Sequence, residues 1–343
     1  MHTWWLIPII SAFFLSVIFT EMARRFALWQ NVVDVPDRAR KTHKASMPLL
    51  GGGAIFASFA IVTLLVLFYS QQLTIGEITN RHILGFLFGG WVLIIGGYLD
   101  DKYELPPKVS IVFPVIATVL AIASGLGIEK ITNPFQDEPF LVPSILSHIL
   151  TFIWMMGLIY TTKLLDGLDG LATGVSAIGA LMIAMLALSV AFYQPDVALL
   201  AFIAFATLMG FLLWNTHPAV IFLGEGGSTF VGYLIGGLAV ISGSKIATIL
   251  LVLGIPALDV AFVMWDRYRH HRPIFHGGDR RHLHHKLLAL GWSQRQVVFF
   301  YYAIAIIFGV TTLVFASWQK ILALFALFVM MAVLIHYLSK KDI

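Results

Sequence analysis

Apolar runs of 16 or more residues follow one another along this chain, from WWLIPIISAFFLSVIFT at 4–20 to ILALFALFVMMAVLIHYL at 321–338. A helix needs about 20 mostly apolar residues to cross roughly 30 Å of hydrocarbon. So many such runs in 343 residues leave no room for a soluble domain. Composition agrees: 59% of residues are hydrophobic and 12% charged, mean hydropathy is +0.88, and soluble domains carry about 25% charged residues. The expected fold is therefore an all-α polytopic membrane protein forming a single domain over 1–343. Eleven spans are predicted, at 4–20, 49–69, 83–99, 109–126, 144–162, 170–192, 197–214, 227–242, 246–265, 297–317 and 320–338. The first run lacks the basic flank and small-residue cleavage site of a secretory signal, so it reads as a span. With no cysteines, disulfides and thiolate metal sites are excluded.

Lys and Arg collect on the cytoplasmic side of such proteins. Placing the N-terminus outside puts 18 of the 22 Lys and Arg on inner segments, leaving Arg81, Lys130, Lys245 and Lys320 outside. The predicted orientation is N-terminus out, C-terminus cytoplasmic, in the inner or plasma membrane. The net charge of +4 then belongs to topology and lipid phosphate, and nucleic acid is not an expected partner. The same orientation puts 12 of 18 acidic residues on the inner side and only five outside, with Asp259 inside the ninth span. The inner segments are 34–53, 98–108, 163–170, 215–228 and 266–296. They gather most of the polar chemistry on one face.

Each inner segment has a plain reading and a chemical one. Asp100 and Asp101 end the third span. They are either two solvated acids or a pair around a cation, since adjacent carboxylates repel. Asp166 and Asp169 share a face of any helical turn, and Gly167 and Gly170 let a ligand come close. DGLDG is too regular for a mere polar turn, and acids near membrane depth default to function. In FLGEGGS, Glu225 precedes the eighth span, Ser228 is its expected N-cap, and the helix N-terminus suits a phosphate. HGGDRRHLHHKL packs His276, Arg280, Arg281, His282, His284, His285 and Lys286 together. The topology signal explains the arginines but not four histidines, and such a group suits a diphosphate. Carboxylates on the same face favour magnesium over zinc, with manganese as an alternative. Arg40, Lys41, Thr42 and His43 add cations before the second span, where plain lipid contact is the competing reading.

In order along the chain, DVPDRARKTH (34–43), P-x-x-G-G (48–52), Asp100–Asp101, DGLDGLA (166–172), N-x-x-P-A (215–219), FLGEGGS (222–228) and DRRHLHH (279–285) resemble the polyprenyl-phosphate N-acetylhexosamine-1-phosphate transferases. The HLHH ending is similar to the undecaprenyl-phosphate GlcNAc-1-phosphate branch. The resemblance implies transfer of a hexosamine 1-phosphate from a UDP-N-acetylhexosamine to polyprenyl phosphate, releasing UMP and starting an envelope polysaccharide. It implies catalytic roles for Asp100, Asp101, His282, His284 and His285. Substrate binding would fall to Lys41, His43, Lys163, Asp166, Asp169, Asn215 and Arg281. Mg2+ would be held by Asp100, Asp101 and Glu225, with Asp166 as a further candidate ligand. A homodimer is a candidate assembly. Two motifs depart from the family pattern. Tyr160 and Lys163 stand where N-x-x-N precedes DGxDG, and Glu225 replaces an aspartate metal ligand. Lys163 is expected to pair with Glu225 or to take a phosphate oxygen. A scaffold without activity and an ion-coupled transporter are the rival readings. Only Asp259 and His336 look embedded, which counts against the transporter.

Overall fold

A computed structural model describes residues 3–35, 46–133, 138–190, 192–243, 245–269 and 281–339. Lys41, His43, His276 and Arg280 lie outside these residues. Every predicted apolar segment contains helix: α1 (Leu6–Trp29), α2 (Gly51–Tyr69), α3 (Asn80–Tyr103), α4 (Pro107–Ser110), α5 (Val112–Ala123), α6 (Ser144–Leu165), α7 (Leu171–Leu188), α8 (Pro195–Asn215), α9 (Gly224–Ile241), α10 (Ile246–Val252), α11 (Gly254–Arg269), α12 (Leu283–Ala289), α13 (Gln294–Val314) and α14 (Ser317–Ser339). Two short antiparallel ribbons accompany them, β1 (Val33–Asp34) with β2 (Met47–Pro48) and β3 (Lys130–Ile131) with β4 (Phe140–Leu141).

Among the described residues, eight helices are long and apolar enough to cross a membrane. A ninth arises if α10 and α11, bent by 78° at their junction, count as one span. The two other predicted segments form the short helix α5 and the glycine-rich α9. Large apolar side chains such as Phe68, Ile145 and Phe299 are exposed on the outside of the bundle, as lipid-facing helices require. The protein is an all-α polytopic membrane protein.

α9, whose sequence is the least span-like, is the centre of the bundle. Every residue from Gly226 to Val240 is buried. Its glycines explain how. A Cβ on Gly52 would lie 2.1 Å from the Cα of Gly227, and one on Gly97 would lie 2.0 Å from the Cα of Gly226. α2 and α3 therefore touch α9 backbone to backbone, the close approach that small residues permit in membranes. Polar side chains fasten the third neighbour, α6. The Thr162 hydroxyl donates to the Ser228 carbonyl at 2.9 Å, and Trp154 Nε1 donates to the Gly236 carbonyl at 3.1 Å.

Ser228 is not the N-cap of this helix. α9 starts at Gly224, and Ser228 lies inside it with its hydroxyl turned to the Glu225 carbonyl at 3.3 Å. The cap comes from another helix. Both Asp101 oxygens, at the end of α3, accept from the Glu225 amide at 3.0 and 3.1 Å. A cap donated from so far away in sequence leaves no local signal.

Candidate active site

Hydrogen bonds between loops and helix ends bring the inner segments to one end of the bundle. The Gly51 and Gly52 amides donate to the Phe222 and Leu223 carbonyls at 3.0 and 2.9 Å. Lys102 reaches Gln30 at the end of α1 at 3.1 Å. Tyr302 of α13 donates to the Gly170 carbonyl at 2.6 Å, and Arg295 donates to the His217 carbonyl at 3.0 Å. Segments 98–108, 163–170, 215–228 and the described part of 266–296 thus form a single surface.

Asp100 and Asp101 diverge, although they are neighbours. Asp100 accepts from the Ser110 hydroxyl at 2.5 Å and the Leu105 amide at 3.0 Å, which fixes its carboxylate at the rim of a cavity. Asp101 turns to the start of α9. The two therefore do not aim at one target, because successive helical side chains point about 100° apart. Opposite Asp100, Lys163 Nζ lies 2.7 Å from Glu225 Oε2 and 5.9 Å from the Tyr160 ring centre. The expected Lys163–Glu225 pair is present. Thr162, bonded to α9, holds the lysine beside it.

The DGLDG segment is a turn between α6 and α7 instead of a helical turn with a shared acidic face. Asp169 accepts from the Ala219 amide at 3.1 Å, and its Oδ2 lies 2.7 Å from His217 Nδ1. Asn215 is buried. Its Oδ1 accepts from the Gly170 amide and the Thr173 hydroxyl, both at 3.1 Å, and its Nδ2 donates to the Ile221 carbonyl at 3.1 Å. Asn215 thus braces two site loops against each other with its own amide. Gly170 adopts φ +76°, a conformation that favours glycine. Asp166 is half-buried. Burial first, then the charges of Glu225 and Asp169, pushes its carboxyl up to about 8.

The histidines are anchored from below. Asp259, inside α11, lies with Oδ2 2.8 Å from His282 Nδ1 and accepts the Leu283 amide at 2.9 Å through Oδ1. The sequence marks Asp259 as an embedded acid, and the structure gives it these partners. His282 and His284 stack with ring centres 5.7 Å apart, and His285 lies 4.3 Å from His284. A Cβ on Gly167 would come 2.6 Å from His284 Nε2, so the glycine makes room for that ring. Burial, together with His285 and His282, holds His284 well below the usual imidazole range. Arg281 pairs with Asp266. Sequence reasoning passed over Ser110, His217, Arg267 and Arg295, which carry no motif of their own.

These parts enclose a cavity of about 710 Å³. Asp100, Ser110, Lys163, Glu225, Arg267 and His282 form its polar end. Ile153, Trp154, Met156, Leu250, Val260 and Val263 form its apolar wall. One compartment therefore offers both charge and hydrocarbon. For a metal the fit is poor: among the described residues, no three carboxylates or imidazoles converge on one ion-sized point. Asp100 and Asp101 are engaged as above, and an ammonium stands beside Glu225.

A family model described as glycosyl transferase family 4 matches residues 83–243, the stretch from the first turn of α3 to just past the end of α9. A probable undecaprenyl-phosphate N-acetylglucosaminyl 1-phosphate transferase of Bacillus subtilis is 33% identical over 95% of this chain and 90% of its own length. An undecaprenyl-phosphate alpha-N-acetylglucosaminyl 1-phosphate transferase of Yersinia pestis is 26% identical over 84% of this chain and 78% of its own. A decaprenyl-phosphate N-acetylglucosaminephosphotransferase of Mycobacterium tuberculosis is 27% identical over 85% and 78%. With its described motifs in order on one surface and a relative 33% identical over 95% of the chain, the chain belongs to glycosyl transferase family 4, the family of polyprenyl-phosphate sugar-1-phosphate transferases.

Proposed function

We propose that this protein transfers an N-acetylhexosamine 1-phosphate from a UDP-sugar to a polyprenyl phosphate, undecaprenyl phosphate by similarity to the relatives. The observation that carries the proposal is the cavity with a charged end and a long apolar wall. It suits a ligand that is a phosphate at one end and hydrocarbon at the other. An oxygen of the lipid phosphate attacks the β-phosphorus of the UDP-sugar. The new P–O bond forms as the bridging P–O bond breaks, and its electron pair leaves with UMP. Such transfers need alignment and charge neutralisation more than covalent help. Asp100, fixed by Ser110, sets the floor. Lys163, Arg267 and His282 face the phosphate oxygens, where fixed donors stabilise developing charge. DGLDG, braced by Asn215, borders the nucleotide. Lys41 and His43 join from the segment outside the described residues, and Arg281 steadies the histidine segment.

The site faces the cytoplasm in this proposal, with the N-terminus outside and the C-terminus inside. The charge asymmetry of the loops supports that orientation. Magnesium, with manganese as an alternative, stays an expectation carried by the resemblance, and so does the homodimer. UMP release is the test, with polyprenyl phosphate, a panel of UDP-sugars, and magnesium present or chelated. UMP formed only when both substrates are present is the expected result. A folded protein that releases none with any sugar would instead favour the scaffold reading, which the Lys163 and Glu225 departures motivate.

A further inference from the structure

We infer that the Lys163 ammonium is a built-in counter-cation. It stands 2.7 Å from Glu225 in the cavity that Asp100 also lines, so the ligand-free protein does not collect a divalent cation there. The inference deepens the proposed transferase reading and rests on it for its catalytic meaning.

Three carboxylates crowd this corner. Asp100 and Asp101 are consecutive, and the amide of Glu225 is bonded to Asp101 at 3.0 Å. Asp100, Lys163 and Glu225 line one cavity. Like charges so close are tolerated only with a cation among them or with a proton bound. The cation at hand is Lys163, 2.7 Å from Glu225. It is not a loose surface lysine: only 26% of its side chain is exposed. Its chain neighbour Thr162 is tied to the Ser228 carbonyl at 2.9 Å. A dication brought here would meet that fixed ammonium at short range with little water to screen it.

The carboxylates themselves are also committed. Asp101 spends both oxygens on the start of α9, and Asp100 spends one on Ser110 and one on the Leu105 amide. A phosphate meets the opposite situation. An ammonium has three donors, so Lys163 keeps Glu225 with one and offers another to a phosphate oxygen. The corner thus accepts an anion without first loading a metal.

The test is direct binding of Mn2+ alone to the purified full-length protein, read as loss of the free-ion electron paramagnetic resonance signal. Wild-type protein is expected to show no saturable uptake dependent on Glu225. Lys163→Asn, which removes the ammonium and leaves the carboxylates, should gain a site at least ~10-fold tighter. Adding Glu225→Gln should abolish that gain, and Lys163→Arg should leave the wild-type result unchanged. Wild-type uptake as tight as that of Lys163→Asn would overturn the inference. So would a folded Lys163→Asn with no gain, or a gain that survives Glu225→Gln. If Lys163→Asn does not fold, wild type against Glu225→Gln still decides: saturable wild-type uptake lost on that change refutes the idea. No turnover is involved, so a protein that fails to release UMP leaves this measurement intact.

Discussion

Asp259 serves two partners, and its position says how the histidines are aimed. One oxygen faces His282 Nδ1 and the other takes the Leu283 amide, which leaves Nε2 as the ring atom available to the cavity. Removing either Asp259 or His282 should slow UMP release by about 10²-fold, the usual worth of a positioned proton-active group. The combined Asp259→Asn and His282→Ala variant should be no slower than His282→Ala alone; additive losses would show that Asp259 acts elsewhere. Asp166 makes a second prediction. Its carboxyl is pushed up to about 8 from an ordinary 3.8, so the native state keeps a proton that the unfolded chain has lost. Its contribution to stability therefore declines as pH rises from about 4 to 8 and is flat above that. Asp166→Asn should shrink the fall in Tm between pH 6 and pH 8 by more than about 2 °C, and an unchanged fall would refute the assignment. At this scale the sequence was an uneven guide. Lys163 and Glu225 were legible as a coupled pair because each breaks the pattern at a related position. Asp101 and Asn215 were legible as important but not in their roles, because their partners lie 124 and 45 residues away.

α9 shows what a glycine-rich apolar helix is for. A segment that looks too short and too small-sided to cross lipid is instead wrapped by α2, α3 and α6, and it carries Glu225 on its first turn. The contacts are directional, which makes them testable. A methyl on Gly97 or Gly52 would run into backbone at 2.0 or 2.1 Å, whereas Gly53 has nothing within 4 Å. Gly97→Ala and Gly52→Ala should each cost about 1–3 kcal/mol, as overpacking does, with loss of activity alongside. Gly53→Ala should fall within about 0.5 kcal/mol of wild type. Thermal denaturation in detergent separates these outcomes, and equal losses at all three positions would sink the packing account. Helix positions followed from the length of the apolar runs. The caps did not, because the start of α9 is set by a residue on α3 and not by the serine four residues into it.

For the whole molecule, the absence of cysteine makes the proposed orientation simple to test. Glu104→Cys lies at the end that carries the site, and Lys130→Cys lies beyond α5 on the opposite side. A membrane-impermeant maleimide applied to intact spheroplasts should label the second and spare the first until the cells are opened. Labelling of Glu104→Cys alone would invert the topology. The 78° bend between α10 and α11 has its own consequence. It turns α11 away from the line of α10, and α11 and α6 together line the apolar side of the compartment, which is open on one side and not closed into a tube. A prenyl tail housed this way is gripped near its head and left to the bilayer beyond. Acceptors differing only in their distal isoprenes should then be used equally well, and any ruler for chain length must lie in another protein.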